Sequence, residues 1–162
     1  MIGPFRARFR LHRNGSLDLR ITNEERELVG HLTEQLRDLL MGTTASGAVD
    51  PAMRRLYPTA HADDADLEDE YQAGKRDELL SRRLENIDTV ERTLGAEVLS
   101  EVEAATWIKT INDLRLVLGT KLDVIEEDDI TDLDPDEEDS YPKAVYHYLG
   151  HLLGELIDAV NP

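Results

Sequence analysis

His147 and His151 stand four residues apart in "YHYLGH". On a helix both imidazoles would share one face, a spacing that two metal ligands can use. No glutamate adjoins the first histidine as in HExxH, and no third ligand can be named. The pair therefore reads as two ordinary, partly exposed histidines, and no metal is expected. Asp132-Leu-Asp-Pro-Asp136 has the look of a calcium loop but fails the EF-hand pattern. Glu137 stands where glycine is required, and Lys143 where the bidentate glutamate should be. Asn112-Asp-Leu-Arg115 sets a carboxylate and a guanidinium beside an apolar stripe. These read as structural polar residues, paired with each other or with backbone. There is no GxSxG, no phosphate-binding glycine loop and no dinucleotide fingerprint. The expectation is a protein that is not an enzyme, with no catalytic residue and no cofactor.

Charge is the more informative chemistry. "FRARFRLHRNGSLDLR", from Phe5 to Arg20, holds five arginines and one acid, a local +4 in a chain of net charge −17. Arg6, Arg8, Arg10, Arg13 and Arg20 could touch phosphate as a basic β-ribbon, or they could meet carboxylates. Carboxylates are preferred for two reasons. The remaining residues carry 13 bases against 34 acids, which is −21, and no aromatic residue interleaves on the arginine face to stack on bases. The opposite pole is Asp123 to Asp139, where 11 of 17 residues are acidic. Within it Glu126, Glu127, Asp128, Asp129, Asp132, Asp134 and Asp136 are candidates for binding a basic protein surface. Pro135 interrupts the run, so it reads as an exposed loop.

The elements that carry these groups follow from periodicity. Phe5, Ala7, Phe9 and Leu11 alternate with Arg6, Arg8, Arg10 and His12. Leu17, Leu19 and Ile21 then alternate with Asp18 and Arg20. Period two means two strands. A two-residue Asn14-Gly15 turn would set Leu11 across from Asp18. A three-residue loop of Arg13, Asn14 and Gly15 sets Leu11 against Leu17, Phe9 against Leu19 and Arg10 against Asp18, with Gly15 in the left-handed position; this register is preferred.

Thr22-Asn-Glu-Glu25 is a capping box opening a helix with apolar Leu28, Val29, Leu32, Leu36, Leu39 and Leu40, which Gly42 can end. Asp50-Pro51 caps a short helix that must end before Pro58. A long helix runs from Ala65 to Leu94, with acids first and bases later as its dipole prefers. Ser100-Glu-Val-Glu103 opens another, carrying Trp107, Ile111, Leu114 and Leu118 and ending at Gly119. Tyr141-Pro142 starts the last, with Val145, Tyr148, Leu149, Leu152, Leu156, Ile157 and Val160 on its apolar side. Gly150 and Gly154 form a GxxxG in this helix, read as close helix packing. The fold class is a mainly helical α+β domain, an N-terminal two-stranded antiparallel ribbon packed on a bundle of about four helices. Its parts are the ribbon at 5–21, helices over 23–119, the acidic loop at 123–139 and the C-terminal helix at 142–160. One domain over 1–162 suits this length.

There is no cysteine, which excludes disulfides and thiolate chemistry by this chain. No apolar run approaches the roughly 18 residues a membrane span needs, and no apolar signal core opens the sequence. A soluble cytosolic protein without membrane attachment is expected. A dimer is compatible with the sequence.

Three stretches together, "DPAMRRLYPTAHADDADLEDEY", "WIKTINDLRLVLGTKLDV" and "AVYHYLGHLLGELIDAV", with the basic ribbon before them, resemble an actinobacterial domain-of-unknown-function family. That family includes the oxidative-stress transcriptional regulator AosR. The resemblance spans nearly the whole chain. It implies a non-enzymatic cytosolic regulator of transcription that acts through a protein partner such as RNA polymerase or a sigma factor, with direct DNA binding by the arginine ribbon as the alternative. Redox sensing in that regulator would require cysteines, so no sensor residue carries over to this chain.

Overall fold

Alternating apolar residues, two capping boxes and four apolar stripes resolve, among the described residues, into seven elements. The computed structural model describes residues 7–46, 56, 65–122 and 140–161, and the side chains of these except 43–46 and 65–76. The elements are β1 (Phe9–Leu11), β2 (Leu17–Leu19), α1 (Asn23–Ser46), α2 (Ala65–Thr93), β3 (Val98–Leu99), α3 (Glu101–Lys121) and α4 (Ser140–Val160). The segment after Asp50-Pro51 lies outside the described residues except for Leu56, which is buried in the core. The acidic segment 123–139 lies outside them as well.

The hairpin has the register that apolar matching requires: Phe9 faces Leu19, Arg10 faces Asp18 and Leu11 faces Leu17. Gly15 takes φ of 88°, a left-handed conformation that costs glycine little. The loop closes with His12 N–H donating to the Ser16 carbonyl at 2.8 Å and Gly15 N–H to the His12 carbonyl at 3.0 Å. Asn14 Oδ1 accepts from the Ser16 amide at 3.0 Å, an Asx-type bond that tightens the turn.

The ribbon is not two-stranded, as the sequence suggested. Val98 and Leu99 add a third antiparallel strand beside β2, giving the order β1-β2-β3. The reason is physical. An isolated hairpin leaves the outward backbone groups of its inner strand without partners, and β3 supplies them: Leu19 N–H donates to the Glu97 carbonyl at 2.8 Å. Leu99 and Leu17, paired in register, are both fully buried.

Both capping boxes form. Thr22 Oγ1 accepts from Glu25 N–H at 3.1 Å while Glu25 reaches back to the Thr22 amide at 3.4 Å. Ser100 and Glu103 do the same for α3 at 3.1 and 2.8 Å. The stops are less faithful. Helix α1 runs through Gly42 to Ser46, and α3 runs through Gly119 to Lys121; neither glycine takes the positive φ with which a glycine ends a helix. Helix α2 ends at Thr93, just short of Gly95, and strand β3 follows at Val98–Leu99.

Helix α3 lies at the centre, against α2 on one side and α4 on the other, with α1 packed on α2 and β1 on α4. The core gathers Trp107, Ile111, Leu36, Leu40, Leu149, Leu152, Leu156 and Ile87 with the inner face of the sheet. Each such aliphatic side chain contributes about 1.5–3 kcal/mol on burial. Trp107 is fully buried and its indole N–H donates to Thr93 Oγ1 at 2.8 Å; Thr93 in turn donates to the Thr89 carbonyl at 2.7 Å. A buried polar chain of this kind leaves no donor stranded. Among the described residues no helix is long and apolar enough to cross a membrane.

Candidate interaction site

Arg8 answers where the ribbon's charge goes. Its Nε donates to Glu25 Oε2 at 2.8 Å and its Nη1 to Glu155 Oε2 at 2.7 Å. Tyr148 donates its hydroxyl to the same Glu25 oxygen at 2.8 Å, and its ring lies beneath the guanidinium, 5.8 Å from centroid to Cζ. Glu25 thus caps α1 with one oxygen and holds Arg8 and Tyr148 with the other. The cluster fastens β1, the start of α1 and the end of α4 together. Burial works against the charge on Glu25, but the bonds from Tyr148, Arg8 and the Thr22 amide outweigh it and hold the carboxyl below its ordinary range. Burial also opposes the charge on Arg8; the bonds and fields of Glu25 and Glu155 together raise its pKa. Burial and the bond to Glu25 push the Tyr148 hydroxyl up, so it stays a donor.

On the outer face of the sheet, Asp18 receives His12 Nε2 at 2.7 Å and Arg20 Nη2 at 3.1 Å, and the His12 bond leads in lowering its pKa. Arg10 and Arg13 are exposed at the hairpin's outer face and tip. Arg6 lies outside the described residues, as do Glu126, Glu127, Asp128, Asp129, Asp132, Asp134 and Asp136. Of the four described ribbon arginines, Arg8 and Arg20 are therefore engaged by this chain's own acids. Sequence reading flagged Glu25 as a cap and Tyr148 as an apolar-stripe residue, but neither as an arginine partner. Glu155, 147 residues from Arg8, carried no local signal at all.

The Asn112-Asp-Leu-Arg115 group divides. Asp113 pairs with Arg83 of α2 at 3.2 Å, and Arg83 also donates to the Leu56 carbonyl at 3.2 Å. Burial raises the Asp113 pKa, with Arg83 pulling the other way. Arg115 instead lies over the Tyr146 ring, 4.7 Å from its centroid. Asp113 and Arg115 thus pair across helices and not with each other: residues two apart point to different sides. Gly150 makes room for Arg115, since a Cβ there would stand 3.2 Å from Arg115 Nε. The GxxxG is therefore not a packing motif as a whole. Gly150 receives an arginine, while a Cβ on Gly154 would meet nothing within 4 Å.

His147 and His151 meet Nε2 to Nε2 at 2.9 Å with rings edge to face. Among the described residues no group of three His, Cys, Asp or Glu side chains is placed to hold a metal ion. An opening of about 330 Å³ lies between the hairpin tip, the first turns of α3 and the end of α4; Leu11, Glu101, Ala105, Ile108 and Val160 line it.

A family model described as a domain of unknown function (DUF2017) matches residues 4–160. No curated protein and no solved structure shows significant similarity to the chain.

Proposed function

We propose that this chain, which belongs to the DUF2017 family, is a non-enzymatic regulator of transcription in an actinobacterium, related to the oxidative-stress regulator AosR. It acts by binding a protein with a basic surface, such as RNA polymerase or a sigma factor, and the acidic stretch from Glu126 to Asp136 makes the contact. One observation carries the preference for a protein partner over DNA: Arg8 is held between Glu25 and Glu155, and Arg20 by Asp18, so the ribbon offers phosphate fewer cations than its sequence promises. A chain of net charge −17 is attracted to basic surfaces and repelled by nucleic acid. Among the described residues Arg10 and Arg13, both exposed, are what remains of the ribbon for a direct DNA contact.

The test is a low-salt pull-down of polymerase and sigma factor with the full chain. It is repeated after Glu126, Glu127, Asp128, Asp129, Asp132, Asp134 and Asp136 are changed to their amides. Recovery should fall with those changes and with added salt. Equal recovery with and without the acids would overturn the reading. So would tight DNA binding whose salt slope falls by about one unit per arginine removed at Arg10 or Arg13.

A further inference from the structure

His147 and His151 do more than share a face of α4. Their Nε2 atoms stand 2.9 Å apart, with ring centres 4.4 Å apart and ring planes at 79°. Head-on alignment of the two nitrogens would hold the ring centres farther apart. The rings are therefore inclined to the line between the nitrogens, which lets both Nε2 lone pairs point at one place. The separation itself selects a geometry. With metal–nitrogen bonds of about 2.0–2.1 Å, two imidazoles at a right angle set their nitrogens about 2.9 Å apart, and at the tetrahedral angle about 3.3 Å apart. The observed 2.9 Å is the right-angle value. Right-angle nitrogen ligands belong to tetragonal ions such as divalent copper and nickel. The missing third protein ligand counts against a closed zinc site, which takes four, but not against a tetragonal ion that completes its shell with water.

The surroundings suit such an ion. His147 is half-buried and His151 exposed, so the pair is anchored at one end and open to solvent at the other. Lys143 lies one turn before the pair, but Glu155 and Asp158 lie on the turns after it, and the whole chain carries −17, so cations are drawn to it. Gly154 stands one turn beyond His151. Glycine inside a helix costs about 1 kcal/mol relative to alanine, and no packing contact accounts for it here, since a Cβ would meet nothing within 4 Å. A longer side chain there would lean back toward the turn that bears His151; glycine keeps that space open for water ligands.

We propose that His147 and His151 form a two-nitrogen chelate for a tetragonal divalent ion, with copper the preferred one. Both rings ligate through Nε2 in their neutral form and keep their remaining proton on Nδ1. The helix fixes the spacing of the two, so once one nitrogen is engaged the other binds at high effective concentration. Copper stands above nickel and zinc in the affinity order for such ligands. The site stands apart from the acidic segment, and its test is independent of the partner proposed above.

Calorimetric titration of the full chain with divalent copper, in a buffer that does not bind metal, tests it. His147→Ala or His151→Ala should each weaken the tightest site at least about ten-fold, because either change removes the chelate. His31→Ala, at an exposed histidine of α1, should leave that site unchanged. Electron paramagnetic resonance of the copper-loaded chain should show the hyperfine signature of two imidazole nitrogens, reduced to one or none in the variants. Zinc should bind more weakly than copper. Helical circular dichroism checks the fold of each variant; His151 is exposed, so H151A carries the test if H147A fails that check. Copper affinity indifferent to H151A, a spectrum of oxygen ligands alone, or zinc binding as tight as copper overturns the proposal.

Discussion

Glu25 joins three parts of the structure at one carboxylate. It caps α1, receives Tyr148, and takes one side of Arg8. Its pKa is depressed below the ordinary 4.5. A carboxyl depressed in the fold contributes stability that is present above its unfolded pKa and lost as pH falls through its folded value. Glu25→Gln should therefore cost about 1.5–3 kcal/mol at neutral pH, the range for hydrogen bonds to charged groups. The gap between variant and wild type should close as pH falls below the usual carboxylate range. Urea denaturation at pH 7 and at acid pH reads both values; a gap independent of pH would mean that the charge is not what matters. This role was half legible. Thr-x-x-Glu announced the cap, because capping is a local interaction of fixed spacing. Nothing local could announce Arg8 or Tyr148 as partners, since these contacts span 17 and 123 residues, and the second exists only once α4 has docked.

At the scale of elements, the parts best read from sequence are those fixed by a short repeat. The hairpin register followed from requiring apolar residues to face one another, and it placed Gly15 where φ is positive. Gly15→Ala forces a Cβ into that conformation and toward Glu101 Oε2 at 2.9 Å. The carboxylate can swing away, so the left-handed backbone sets the cost, about 1–2 kcal/mol in urea denaturation. Gly15→Asn should cost less, because asparagine tolerates this region better than alanine does. Strand β3 escaped notice because two residues cannot show an alternation, and Gly95 and Ser100 crowd it between a helix stop and a helix start. What makes it a strand is the demand of β2 for partners, a tertiary requirement. The contact of α2 with α3 was equally silent. Arg83 and Asp113 lie 30 residues apart, each less than a fifth exposed. Arg83→Leu should destabilise by about 3–5 kcal/mol at neutral pH, because it strands a buried carboxylate. The loss should shrink in acid, where Asp113, whose pKa burial already raises, takes a proton. An undiminished loss at low pH would assign the cost to packing and the Leu56 contact instead.

For the whole molecule the governing fact is the imbalance of 35 acids against 18 bases. The described arginines with carboxylate partners bind their acids at 2.7–3.2 Å, apart from Arg92, which stands 3.9 Å from Glu103. Such close contacts are only weakly screened by salt when half-buried, whereas the surplus negative charges repel one another over distances beyond the Debye length of about 8 Å at physiological salt. Added salt should therefore relieve the repulsion more than it weakens the pairs. The midpoint of thermal unfolding should rise between low and physiological ionic strength; ~1 kcal/mol of relief corresponds to about 2–4 °C for a chain of this size. Removing the seven charges from Glu126 to Asp136 should produce part of the same rise at low salt, and the two effects should overlap because they act on one quantity. A fall in the midpoint with salt would show that the fold rests on its ion pairs more than it suffers from its net charge. The surplus would then be tolerated for solubility or partner binding without a cost in stability.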